Sequence, residues 1–173
     1  MKNKIFISLS ILLSNFVYSQ DISIEIKLQE HFTNLTYIEC KYKQEKELSM
    51  IKEPLVSTGS FKYEKRGVIS WEQETPFKKI YLISGESDNK FDNYINQFII
   101  SILTGRILND KKLEITYSED VKSYFVLLTP KKGPMKKNIK DVMLTFNKEI
   151  ITLSQLEIVS KNGDVNKINF FDN

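Results

Sequence analysis

The sequence holds one cysteine, Cys40, so the chain cannot form a disulfide within itself. An exported protein built this way rests on its core alone. It also holds one histidine, His31. One His and one Cys cannot make a zinc set at metal-ligand spacing, and no metal or cofactor is expected. His31 with Cys40 is a conceivable base and nucleophile, but no third group to orient the pair is evident. No Gly-rich phosphate loop occurs among the six glycines. Asp88 and Asp92 flank an Asn-containing stretch that reads as a solvated turn rather than a calcium loop. Catalytic machinery is therefore not expected, and the chain reads as a non-enzyme. Excess charge of one sign is missing as well. The formal net charge is +3, and removing Lys2 and Lys4 with a leader lowers it to +1. That gives little electrostatic reason to expect nucleic acid.

The first segment reads as a leader. Lys2 and Lys4 precede the apolar run Ile5 to Leu13, and Val17-Tyr18-Ser19 closes it. This is the pattern of a cleaved export signal, too short and wrongly flanked for a membrane span. No cysteine follows the run to take a lipid. The expected division is a signal peptide over 1–19, cleaved near Ser19/Gln20, and one domain over 20–173. One domain of this length can bury a core and enclose a cavity.

Beyond the leader, Ile24, Leu28, Phe32 and Leu35 fall at spacings of four, four and three. They predict an amphipathic helix, with Asp21 or Ser23 as its cap. Alternating segments follow. Tyr37 to Leu48 places Cys40, Tyr42 and Gln44 on one face; Ser57 to Glu64 does the same for Gly59, Phe61 and Tyr63. Val68 to Glu72 carries Ile69 and Trp71 on one face, and Lys78 to Ser84 comes after the break at Pro76. Between Phe91 and Leu103 the apolar residues predict a second helix with a wide apolar face, stopped by Gly105 and able to act as a movable lid. Strands resume over Leu113–Ser118, Tyr124–Pro130, Ile139–Asn147, Ile150–Ser160 and Val165–Phe171. Asn147-Lys148-Glu149 and Asn162-Gly163-Asp164 are the hairpin turns of the last three. The sum is roughly nine strands in an antiparallel meander and two helices. The plain reading of the apolar faces is a core of Phe61, Tyr63, Ile69, Trp71, Ile80, Leu82, Phe125, Leu127, Val142 and Leu144. Gly59 would leave room beside Trp71. Lys131, Lys132, Lys136, Lys137 and Lys140 crowd one loop, either a solvated hairpin or a patch for anionic headgroups.

Four ordered markers carry a resemblance. They are Tyr42-Lys43-Gln44 ahead of Pro54 to Phe61; Gly67 to Glu72 with Pro76-Phe77; Leu127 to Lys131; and Gly163-Asp164 followed by Ile168-Asn169-Phe170. In that order the chain resembles the LolA outer-membrane lipoprotein carrier family, in its shorter members. The resemblance implies a mostly β fold with α. Its form is a strongly curved antiparallel sheet, an incomplete β-barrel, covered by helices on its concave side. It implies a periplasmic, monomeric carrier that takes acyl chains of a lipoprotein or lipid into an apolar cavity. Such a carrier ferries its cargo from an inner-membrane export complex to an outer-membrane acceptor. The alternative is a non-catalytic regulatory module that senses lipid or lipoprotein with the same fold. The cavity residues it implies are Phe61, Tyr63, Ile69, Trp71, Ile80, Leu82, Ile95, Phe98, Ile102, Phe125, Leu127 and Leu144. In the family an Arg before the Trp strand ties sheet to lid, and Arg66 in Lys65-Arg66-Gly67 stands near that place, with Gly67 where the family has Pro. The chain stops soon after Phe171, without the C-terminal extension of the lipoprotein carriers, which leaves the class of lipid open.

Overall fold

The computed structural model describes residues 19–64, 68–83, 98, 101–102, 105–133 and 135–171. Residues 1–18 of the expected signal peptide over 1–19, Arg66, Ile95 and most of the expected lid helix lie outside the described residues.

Helix α1 spans Ser19–Asn34. Its stripe behaves as the spacing requires: Ile24 and Leu28 are fully buried and Phe32 packs against the core. Asp21 and Ser23 stand inside the helix, so neither caps it; the helical backbone already includes Ser19. Nine strands follow: β1 Tyr37–Glu47, β2 Leu55–Glu64, β3 Val68–Thr75, β4 Lys79–Ile83, β5 Leu113–Glu119, β6 Ser123–Pro130, β7 Ile139–Asn147, β8 Leu153–Ser160 and β9 Val165–Phe171. They form one antiparallel sheet in the order β4-β3-β2-β1-β9-β8-β7-β6-β5. Two meanders, β1 to β4 and β5 to β9, are joined where the first strand pairs with the last, from Lys41 opposite Phe171 to Glu47 opposite Val165. The outermost strands β4 and β5 do not pair, so the sheet is an open half-barrel.

Cross-strand register carries one apolar face across the whole sheet. Ile69 stands opposite Tyr63, Trp71 opposite Phe61, and Phe61 opposite Cys40. Tyr42 faces Phe170, Ile168 faces Leu156, Leu156 faces Leu144, and Leu144 faces Val126. Side chains that share a register row lie on the same side of the pleat. Helix α1 covers the β5–β7 half of this face, with Lys27 Nζ 3.3 Å from the Tyr124 hydroxyl and the Phe32 ring edge-on to Phe146 at 5.8 Å. Phe98, Ile102, Ile107 and Leu108 join the same buried cluster.

The same register corrects the expected core. Phe125 pairs with Thr145 and Leu127 with Met143, so both lie on the outer face. The buried side chains of β6 are Tyr124, Val126 and Leu128. Five consecutive apolar residues, Tyr124 to Leu128, contain no alternation from which to choose a face, and a slip of one position reverses it. Strand β4 has the same ambiguity in Ile80-Tyr81-Leu82-Ile83. Ile80 pairs with Glu72 and Leu82 with Ser70, both alternate to the Ile69/Trp71 row, and Ile80 is 55% exposed.

Gly59 does not leave room. At the bulge between Thr58 and Gly59, a Cβ on residue 59 would lie 1.8 Å from the Glu72 carbonyl oxygen. The backbones of β2 and β3 approach so closely that only glycine fits. Tyr42 lies opposite Gly59 in register and its ring meets Trp71 at 4.6 Å, so aromatic surface fills this part of the face. Two smaller expectations also shift. Strand β8 begins at Leu153 rather than Ile150, and the Lys131–Lys140 stretch contains a one-turn helix, Met135–Asn138, anchored by buried Met135.

Gly59→Ala is expected to cost about 1–3 kcal/mol, the range for overpacking. A urea midpoint for Gly59→Ala equal to wild type would show that the two strands have slack at the bulge.

Candidate functional site

A cavity of about 470 Å³ opens on the apolar face beside the C-terminal end of α1. Its walls come from α1, from the strands β1, β2, β7, β8 and β9, and from Ile102. Helix α1 supplies His31 and Phe32, with Leu35 just beyond its end; β1 supplies Ile38 and Cys40; β2 supplies Phe61. Phe146 closes β7, the β7–β8 hairpin contributes Ile150 to Ser154, and β9 ends in Phe170 and Phe171. Ile102 completes the wall. Gly105 lies against α1. Its φ is +67°, and a Cβ there would lie 2.6 Å from the Phe32 Cβ. The left-handed backbone and the lack of space both require glycine.

The wall is mostly apolar and its rim is half apolar. Tyr37, Ile150 and Phe171 are each about half exposed at the mouth. The Tyr37 hydroxyl donates to Glu39, which sits beside them. His31 and Cys40 both line the cavity, but they face it as packing surface. Cys40 is buried, and His31 sits edge-on to Phe32 at 5.7 Å. Partial burial lowers the His31 pKa below its ordinary 6.5, which favours a neutral ring. Among the described residues no group of three or more His, Cys, Asp or Glu could hold a metal ion.

The residues expected from sequence fall into four sets. Phe61 and Ile102 line the cavity. Tyr63, Ile69, Phe98 and Leu144 are buried on the same side but behind it, as filled core. Trp71 stands one ring away, with its ring at 5.4 Å from Phe61. Ile80, Phe125 and Leu127 belong to the outer face, and Leu82 stands in register with Ser70. Sequence reasoning missed Phe146, Phe170 and Ile151 as wall residues. Continuing the Val142-Leu144 and Ile168 alternations by one step finds the first two. No sequence signal finds Ile151, since its backbone conformation is one that a β-branched residue rarely adopts.

The Lys-rich stretch lies elsewhere. It joins β6 to β7 at the end of the sheet where Lys161 N bonds the Asn138 carbonyl, whereas the cavity lies at the β7–β8 hairpin end. Lys131 there pairs with Glu114 at 3.3 Å.

An open antiparallel half-barrel with a helix-covered apolar hollow is a small-ligand-binding architecture. The chain belongs to the family of the outer membrane lipoprotein carrier protein LolA, whose family model matches residues 33–173. No curated protein matches the sequence. Among solved structures it is similar to MucB in complex with MucA(peri), at 10% identity and a TM-score of 0.49, over 88% of this chain and 54% of that one. It is similar to the MucA/MucB complex of Pseudomonas aeruginosa at 11% identity and a TM-score of 0.47, over 87% and 55%. A putative outer membrane lipoprotein-sorting protein domain from Vibrio parahaemolyticus matches at 9% identity and a TM-score of 0.39, over 88% and 91%. The chain thus spans about half the length of the MucB chains it matches. Among the described residues no helix is long and apolar enough to cross a membrane.

Two titrations follow from the burial around α1. A lowered His31 pKa means that the unfolded chain takes up the proton first as pH falls. The stability from neutral His31 is therefore present above pH 6.5 and lost as pH falls below it, through the folded-state value. The urea midpoint of wild type should fall more between pH 7 and pH 5 than that of His31→Phe. At the other side of α1, the Tyr117 hydroxyl is buried with no hydrogen-bond partner among the described residues. Burial, with a smaller push from the Glu25 charge, raises its pKa to about 12. Here the folded protein keeps the proton that the unfolded chain loses from pH 10 upward. Stability should fall as pH rises from 10 towards 12, and Tyr117→Phe should fall less over that window.

Proposed function

We propose that this protein is a periplasmic carrier that takes an acyl chain of a lipid or lipoprotein into the cavity and ferries it from the inner to the outer membrane. In this reading the leader directs export and is removed near Ser19/Gln20. An inner-membrane export complex loads the cargo and an outer-membrane acceptor receives it. The observation that carries the proposal is the apolar hollow of about 470 Å³ in a member of the LolA family. At interior packing density a methylene fills roughly 25 Å³, so the hollow suits about one long acyl chain. Each methylene withdrawn from water contributes ~0.8 kcal/mol, an energy that drives loading and keeps a free chain from crossing water unaided. The carrier has no chemistry to perform; it needs a wall that excludes water and a mouth that opens onto a membrane or partner.

Trp71 gives the assay its signal. It is the single tryptophan of the chain, and its ring touches Phe61, a wall residue. A fluorescent fatty-acid probe should bind at micromolar concentration, be displaced by lipid and change the Trp71 emission. Native mass spectrometry of protein taken from its own periplasm should show co-purified lipid. A folded protein that binds no probe, carries no lipid and holds a stoichiometric protein partner would replace the carrier with a sensor.

A further inference from the structure

Ile151 has φ 51°, and among the described residues it is the one non-glycine with a positive φ; the others are Gly105, Gly133 and Gly163. A β-branched side chain in the left-handed region is a strained arrangement that persists only where its surroundings over-determine it. The surroundings do so here. Asn147 N donates to the Thr152 carbonyl at 2.8 Å and closes the β7–β8 turn. The Asn147 Oδ1 accepts from the backbone N–H of Glu149 at 2.8 Å and of Ile150 at 3.3 Å. Lys148 N donates to the Lys122 carbonyl at 2.9 Å and ties this turn to the neighbouring hairpin.

None of these bonds uses the Ile151 side chain. Glycine at this position would hold the same turn with less strain, as it does at the other positive-φ positions. What isoleucine adds is its side chain, which packs against the core cluster and lines the cavity. The left-handed residue also separates two consecutive isoleucines. Ile150 is 51% exposed at the rim, while Ile151 is turned into the wall. An ordinary strand backbone would have continued the Ile150–Leu153 run into β8 instead.

We propose that Ile151 is a ligand-contacting, specificity-determining residue: its side chain walls the cavity at the hairpin and limits the length of acyl chain accepted. The inference rests on the carrier reading and names the residue that tunes that site. The backbone at residue 151 sets the turn, and the side chain both packs against the core and walls the cavity.

The test displaces a fluorescent fatty-acid probe with saturated fatty acids of about 12 to about 20 carbons, a range that spans the loss or gain of several methylenes of burial. Wild type is compared with Ile151→Gly. Relief of the left-handed strain offsets part of the packing lost with the side chain, so the variant should remain folded, with a cooperative melt below that of wild type. Its affinity for the best wild-type chain should fall by at least about fivefold, and its preference should move to longer chains. Ile151→Asn is the second variant, because asparagine also tolerates the left-handed region. It keeps the turn, places an amide in the wall and should weaken binding likewise. Unchanged affinity and length profile in both folded variants would overturn the proposal and leave Ile151 as a core anchor. Failure of wild type to bind any chain would instead overturn the carrier reading, and this inference with it.

Discussion

The structure depends on one topological constraint: strands that are consecutive in sequence, β4 and β5, stand at opposite edges of the sheet. The pairing of β1 with β9 at the centre forces this, because it places the ends of the two meanders as far apart as the sheet allows. Phe98, Ile102, Ile107 and Leu108, which follow β4 and precede β5 in sequence, are buried in the same cluster as the apolar face of the sheet. Gly105 lies against α1, where Phe32 fills the place a side chain would need.

The hollow lies where α1 ends. The stripe of α1 covers the face as far as Phe32, and the helix ends at Asn34. On the other side, the β1–β3 face is filled by its own rings, Tyr42, Trp71 and Phe61, stacked where Gly59 lets two backbones close up. Between the end of the helix and this aromatic block lies the cavity, walled on the sheet side by Cys40, Phe146 and Phe170. Interiors pack to crystal density wherever side chains can reach. The cavity is the region that neither the stripe nor the ring stack reaches.

The fold was legible wherever sequence alternation was clean. Cys40 and Tyr42 in β1, and Phe61 and Tyr63 in β2, alternate with charged residues, and their faces could be assigned at once. Tyr124–Leu128 and Ile80–Ile83 are apolar throughout. Their faces are set by pairing with Val142-Leu144-Phe146 and with Ile69-Trp71, which one strand alone does not reveal. Half-buried outer faces make such runs tolerable, since Phe125 and Leu127 pack beside Thr145 and Met143 without disturbing the core. The site was less legible than the fold. Its wall is made of strand ends and a turn, and ends are where propensity is weakest. Ile150 and Ile151 look like strand residues, and only the hydrogen bonds of Asn147 make them a turn.

Charge is placed apart from the cavity. The lysines between residues 131 and 140, open in sequence to a solvated hairpin or a headgroup patch, sit at the end of β6 and β7 away from the hollow. At the mouth the exposed residues are Tyr37, Ile150 and Phe171, with Glu39 held by the Tyr37 hydroxyl. The exposed Lys131–Glu114 pair contributes little to stability. Tyr37, Ile150 and Phe171 give the rim apolar surface beside Glu39, Asn147 and Thr152, so under the proposed carrier reading a chain would pass from a bilayer to the cavity with only part of its surface hydrated. The basic stretch stands at the far end of the same strands and leaves that rim free.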